Sequence, residues 1–196
     1  LLDRRPRTGH AVAARQHGAT VRLVLAAGLP MLDFLEPGGK VTEREALVAN
    51  RRAVRETTIK DWLPAYDSGA GSKQLLDCTN VAVPDTGGLD TVSIVGFRGT
   101  DAAMPHAIGL AGATTIAYES ADHLYLADAP SRWGCGGCRT ARDIGGGTTH
   151  LYDFELDGVD AIHVASGEVE GRLADRWSLD EADDVLRVAV GPSSET

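Results

Sequence analysis

Aromatic residues make up only 5% of this 196-residue chain, cysteine occurs three times and methionine twice. Three cysteines, Cys78, Cys135 and Cys138, are too few to staple a disulfide-built scaffold, and their odd number leaves at least one unpaired. The fold must therefore rest on an aliphatic core, which a 43% hydrophobic content allows and which argues against intrinsic disorder. No apolar run approaches ~18 residues. The longest, residues 21–27, is broken by Arg22, so no membrane-spanning helix is expected. An initiator methionine and a basic-then-apolar leader are also missing at Leu1, and the chain is expected to be a processed product or an excised piece.

Cations are scarce over most of the length. Residues 1–60 hold eleven Lys/Arg against six Asp/Glu, but residues 61–196 hold eight against twenty-two, within a net charge of −9. Phosphate backbones need clustered cations, so nucleic acid is excluded as a partner for most of the chain. What remains is an acidic domain with one basic flank.

Short runs of alternating apolar and polar residues recur at 20–25, 91–97, 114–120, 123–127, 149–156, 161–166 and 185–190. They are rich in Val, Ile, Thr, Tyr and Leu and bounded by Gly, Asp, Asn or Pro, the pattern of half-buried strands. Several separators are only a few residues long: Ser120-Ala121-Asp122, a four-residue link opening with Asp157-Gly158, and Glu181-Ala182-Asp183-Asp184. Such lengths favour antiparallel hairpins over parallel crossovers. Loops are expected at 67–73, 84–90, 99–112 and 131–147.

One segment departs from the strand pattern. Thr42-Glu43-Arg44-Glu45 is a capping box, and Ala46, Leu47, Ala49, Ala53 and Val54 fall on one helical face, with Arg44, Arg51, Arg52 and Arg55 largely on the other. A helix over 43–56, within an insertion over about 42–60, is expected to pack on a sheet edge and to end before Pro64 forces Leu63 out of the α region.

The C-terminal stretch 152–190 carries a resemblance. Its elements are Ala165-Ser166-Gly167-Glu168-Val169 with Gly171, Trp177-Ser178-Leu179-Asp180-Glu181, and Leu186-Arg187-Val188-Ala189. Upstream, Asp61-Trp62-Leu63-Pro64 with Tyr66, Leu76-Asp77-Cys78, and Tyr118-Glu119-Ser120 with Leu124-Tyr125-Leu126-Ala127 follow in the same order. Together these resemble bacterial secreted or surface-anchored proteins with a C-terminal β-propeller distantly related to WD-repeat propellers, over residues 18–189. Two details depart from that pattern: Asp184 stands where the family places a glycine, and Val190-Gly191 where it continues in threonines. The glycine-rich cysteine loop at 131–147 is no part of it. The resemblance implies a mainly β chain of antiparallel propeller blades with an inserted amphipathic helix, an extracellular or cell-surface location, and no catalytic residues to carry over. A blade has four strands and a closed ring at least four blades, so seven strands make roughly two. Residues 1–196 are expected to be one incomplete propeller domain, with sheet faces and edges left open.

Chemistry-bearing residues are sparse. Trp133-Gly134-Cys135-Gly136-Gly137-Cys138-Arg139 has redox spacing, but residues 139–147 are too short and glycine-broken for the helix that would activate a thiolate. A zinc site could combine Cys78, Cys135 and Cys138 with His106, His123 or His150, although no second ligand pair stands at metal spacing. A local disulfide or free loop thiols are the other readings. Asp180, Glu181, Asp183 and Asp184 could attract calcium, yet they lack the glycine and alternation of a calcium loop and read as a solvated turn. No nucleophile motif surrounds any histidine; His150 and His163 read as strand residues, and Tyr118, Tyr125, Tyr152, Trp62 and Trp177 as packing aromatics. No cofactor is expected. The function expected is recognition or scaffolding toward a protein or cell-envelope ligand. The alternatives are an enzyme completed by blades outside this chain and, third, a metal-stabilised module.

Overall fold

The computed structural model describes residues 7–67, 69–85, 88–128 and 147–191. In chain order its elements are β1 (Arg7–His17), β2 (Thr20–Pro30), α1 (Glu43–Arg55), α2 (Ile59–Trp62), β3 (Ala65–Asp67), β4 (Ser72–Gln74), β5 (Val81–Ala82), β6 (Thr91–Arg98), β7 (Asp101–Ala111), β8 (Ile116–Glu119), β9 (His123–Asp128), β10 (Thr148–Asp157), β11 (Asp160–Glu170), β12 (Leu179–Ala182) and β13 (Val185–Val188). They form a five-stranded sheet ordered β1-β2-β6-β7-β5, a four-stranded sheet ordered β11-β10-β9-β8, and the hairpins β12-β13 and β3-β4. All pairings are antiparallel except the short parallel contact of β5 with β7. This is a mainly β architecture of two stacked blades and the two strands of a third.

Turn chemistry sets the hairpins. Gly18 and Gly158 take φ values of 58° and 56° in the two-residue links β1–β2 and β10–β11. Asp183 and Asp184 do the same work between β12 and β13 at φ 54° and 58°, a primed turn that matches strand twist. Glu181 and Ala182, expected in that turn, belong to β12 instead. The expected loop at 99–112 is also corrected: only Gly99 and Thr100 turn, and residues 101–111 are β7. Its Ala, Gly and Pro content hides the alternation. Pro105 is tolerated because the register with β6 jumps between the Gly96–His106 and Arg98–Asp101 pairs, leaving its missing N–H out of the ladder. β3 and β4 likewise replace part of the loop expected at 67–73.

The two blades pack face to face. Val24, Val92, Ile94 and Leu110 from the first meet Ala117, Leu124, Leu126, Tyr152 and Phe154 from the second in one buried cluster. The opposite face of the second blade, with Ile116, Tyr125, Ala127 and Leu151, packs on Leu173 and Leu179 beside the β12–β13 hairpin. Each fully buried Leu or Phe contributes about 2 kcal/mol. β1 meets β8 and β7 meets β11, so first strand faces first strand and last faces last. Radial stacking requires that alignment.

The remaining face of the first blade is not left open. Leu76, 1% exposed, sits over Gly109, where an added Cβ would lie 2.7 Å from the Leu76 Cδ1 and 3.0 Å from a Val81 methyl. Ser93 and Val95, on the same face as Gly109, are buried as well. The segment between β2 and β6 therefore covers an apolar face that was expected to stay open.

Helix α1 follows its capping box: the Glu45 N–H donates to Thr42 Oγ1 (3.2 Å) and the Thr42 N–H to Glu45 Oε2 (2.9 Å), which holds the Glu45 carboxyl below its ordinary range. Its packing differs from expectation. Ala46 is the buried position, whereas Leu47, Val48 and Val54 are 50%, 56% and 40% exposed. The helix is held by Asn50, which accepts from the Leu35 N–H (2.7 Å) and donates to the Leu35 carbonyl (3.1 Å). The chain then makes one more helical turn, α2, and Leu63 before Pro64 is extended at ψ 142°, as the proline requires.

Candidate functional site

The approach to the third blade builds a groove with the first strands of the other two. After β11 the chain turns at Gly171 (φ 109°), where a Cβ would lie 2.7 Å from the Gly191 carbonyl. Arg172 is then fixed by paired backbone hydrogen bonds with Gly191, both 3.0 Å. Leu173, 1% exposed, plugs the second core. Asp175 caps the 3-10 turn Arg176–Ser178, its Oδ1 accepting from the Trp177 N–H at 2.8 Å. With Leu173 turned in and Asp175 spent on the cap, Trp177 is pushed out. It is 79% exposed, and the Arg176 guanidinium lies over its ring, 4.6 Å from the centroid.

The groove beneath holds about 430 Å³, within the range of small-ligand sites. Val12 and Ala13 of β1 form one wall, at the bulge between Ala11 and Ala13. Thr115, Ile116 and Ala117 form the floor, where Thr114 fixes the start of β8 by donating to the Ala127 carbonyl at 2.8 Å. Arg172 to Trp177 make the lip. Neither Arg172 nor Arg176 forms an ion pair among the described residues. Trp177, expected with the packing aromatics, is corrected to a surface residue. The signal that points to this in the sequence is an Asp two residues before Trp, a cap that leaves the ring no place in a strand.

A second polar cluster lies where the hairpin docks. His123 Nδ1 is 2.8 Å from Asp153 Oδ1, and the His123 ring stacks on Tyr125, which stacks on Tyr118. The Tyr118 hydroxyl accepts from the Glu181 N–H at 3.2 Å, and the Tyr125 hydroxyl lies near the Glu181 carboxylate. The Asp153 hydrogen bond, with Asp153, Glu181 and Glu155 nearby, raises the His123 pKa; burial raises that of Tyr125. Glu181 Oε2 is buried without a hydrogen-bond partner. Between the blades, Arg22 donates to Glu119 Oε1 and to the Gly158 carbonyl, both 2.8 Å, with 6% and 11% of the two side chains exposed.

The metal candidates are dispersed. His106 of β7 pairs with Asp160 of β11 (2.7 Å), His123 with Asp153, and His150 stands 3.8 Å from Glu168. Cys78 is an exposed thiol in the 3-10 turn capped by Asp77, while Cys135 and Cys138 lie outside the described residues. Among the described residues no group of three or more His, Cys, Asp or Glu is placed to hold a metal ion. The acidic run splits: Asp183 and Asp184 form the turn, Asp180 lies 3.8 Å from Arg187, and Glu181 meets the tyrosines. His150 and His163 are strand residues as expected, His163 standing edge-on to Phe154. Tyr125 and Tyr152 are buried core. No described helix is long and apolar enough to cross a membrane.

Compared with known families, residues 2–196 match the model described as Beta propeller domain. No curated protein and no solved structure matches the chain.

Proposed function

The chain belongs to the β-propeller domain family, and from that premise we propose that it is a non-catalytic recognition or scaffolding module whose ligand occupies the groove under Trp177. One observation carries the reading. A tryptophan 79% exposed is held by a capped turn at the lip of a groove to which the first strands of two blades and the approach to a third all contribute. Exposing an indole forgoes ~2 kcal/mol of burial, and a rigid ring at a groove lip offers contact area with little side-chain entropy to lose. Rings of blades assemble sites from several blades, and this groove is so assembled. We place the protein outside the cytoplasm or at the bacterial cell surface, following the family it resembles. Surface labelling of intact cells checks that placement, and a purely cytoplasmic pool would refute it.

The binding test is an arrayed screen of cell-envelope components and peptides, read by thermal shift and repeated with Trp177→Ala. A hit should lose at least about tenfold in affinity in the variant while the unliganded melting temperature stays within about 2 °C, because the side chain makes little packing. A hit indifferent to Trp177 moves the site elsewhere, and a hydrolytic turnover abolished by one groove substitution overturns the non-catalytic reading.

A further inference from the structure

Resting on that reading of the groove, we infer that its ligand is an acidic saccharide, bound with a pyranose ring against the indole and a carboxylate between Arg172 and Arg176. The charge pattern comes first. Residues 61–196 carry eight cations against twenty-two anions, yet two of those eight stand together at this lip. The acid among the lining residues is Asp175, whose Oδ1 is engaged by the Trp177 N–H. Both arginines are exposed and without an ion-pair partner among the described residues, and with Asp175 counted the lip still carries a net positive charge on an acidic molecule. A guanidinium fork matches a carboxylate in plane and spacing.

Shape narrows the class further. Ala13, Thr115, Ala117 and Ala174 give the groove small lining side chains, and the one large ring stands at the lip. Such a surface suits a flat, weakly apolar ring edged with hydroxyls. A uronate chain carries one carboxylate per ring and exposes C–H faces between them. Arg176 already covers part of the Trp177 ring, which keeps the guanidinium beside any ligand stacked there.

The experiment is a calorimetric titration of the 196-residue chain at low salt, with tetragalacturonate and with its fully methyl-esterified form, which keeps the rings and removes the charge. The free acid should bind, the ester at least about tenfold more weakly. Arg172→Gln with Arg176→Gln should reduce the acid to the level of the ester, and Trp177→Ala should weaken both. Equal binding of acid and ester overturns the anionic part while leaving recognition at the Trp177 groove standing. Binding of neither overturns the saccharide inference; the arrayed screen then decides the groove separately. Acid binding unaffected by the arginine pair places the anion elsewhere and also overturns it.

Discussion

At the scale of single residues, the contacts between blades leave little freedom. Gly96 of β6 faces the β10–β11 turn so closely that an added Cβ would fall inside the Val159 carbonyl, and Val159 presents backbone there, which has no rotamer with which to move aside. Gly96→Ala should therefore cost about 3 kcal/mol, the upper end of overpacking. Gly167, on the exposed strand β11 with nothing within 4 Å of where a Cβ would stand, is the control; its alanine variant should change stability by less than about 1 kcal/mol. Urea unfolding of both variants decides, and equal midpoints would mean that the two blades do not meet at this turn. The Arg22–Glu119 pair beside it works differently. Two buried charges bound at 2.8 Å add little net stability, but either alone is expensive, so the pair fixes how the blades align. Asp184 shows the same local economy. It holds a φ of 58° where the resembling family places a glycine, the residue that enters this region without strain, and Asp is among the few others that tolerate it.

Among elements, the docking of the β12–β13 hairpin on the second blade is expected to respond to pH through His123. His123 faces Tyr125 on its own strand, Asp153 and Glu155 on β10, Tyr118 on β8 and Glu181 on β12. Its folded pKa is raised above 6.5, first by the hydrogen bond to Asp153 and then by the surrounding carboxylates. A raised histidine gives stability that is fully present below its unfolded pKa of ~6.5 and lost as pH rises through the folded value. Chemical unfolding should accordingly show the hairpin and second blade more stable at about pH 6 than at about pH 8.5, and His123→Gln should flatten that slope. A variant that keeps the slope would assign it to another group.

Element by element, legibility in the sequence follows the physics. Helix α1 is readable because its capping box is local, and β9 and β10 because their short apolar, Tyr- and Leu-rich runs are bounded by turn residues. β7 is not: Gly109 sits where Leu76 and Val81 come close, and with the alanines and Pro105 around it the residue that packing demands there helps erase the pattern. β1 escapes notice for a related reason. It is an edge strand with two register shifts, and half-exposed alanines alternate weakly. The groove is legible only in pieces. Its residues come from positions 12, 115 and 172–177, and nothing in a linear reading brings those together.

For the molecule as a whole, stability should grade along the stack. The inner strands β9 and β10 of the second blade are buried on both faces, with Phe154, Leu124 and Leu126 on one and Tyr125, Ala127 and Leu151 on the other. The first blade is covered on one face by that blade and on the other by the segment carrying Leu63 and Leu76, a cover built largely from short elements. The β12–β13 hairpin has one covered face and leaves Val185 55% exposed. Helix α1 is weakest, since its larger apolar side chains face water and Asn50 ties it to the 31–37 segment through two hydrogen bonds. Local opening costs the apolar contacts it breaks. Native-state hydrogen exchange should therefore rank the amides of β9 and β10 slowest, β6 and β7 next, the hairpin third and α1 fastest, with α1 opening well below the global unfolding free energy. Helix amides as protected as those of β10 would show that α1 is bound to a surface in solution, and its exposed Leu47, Val48 and Val54 would then mark the contact.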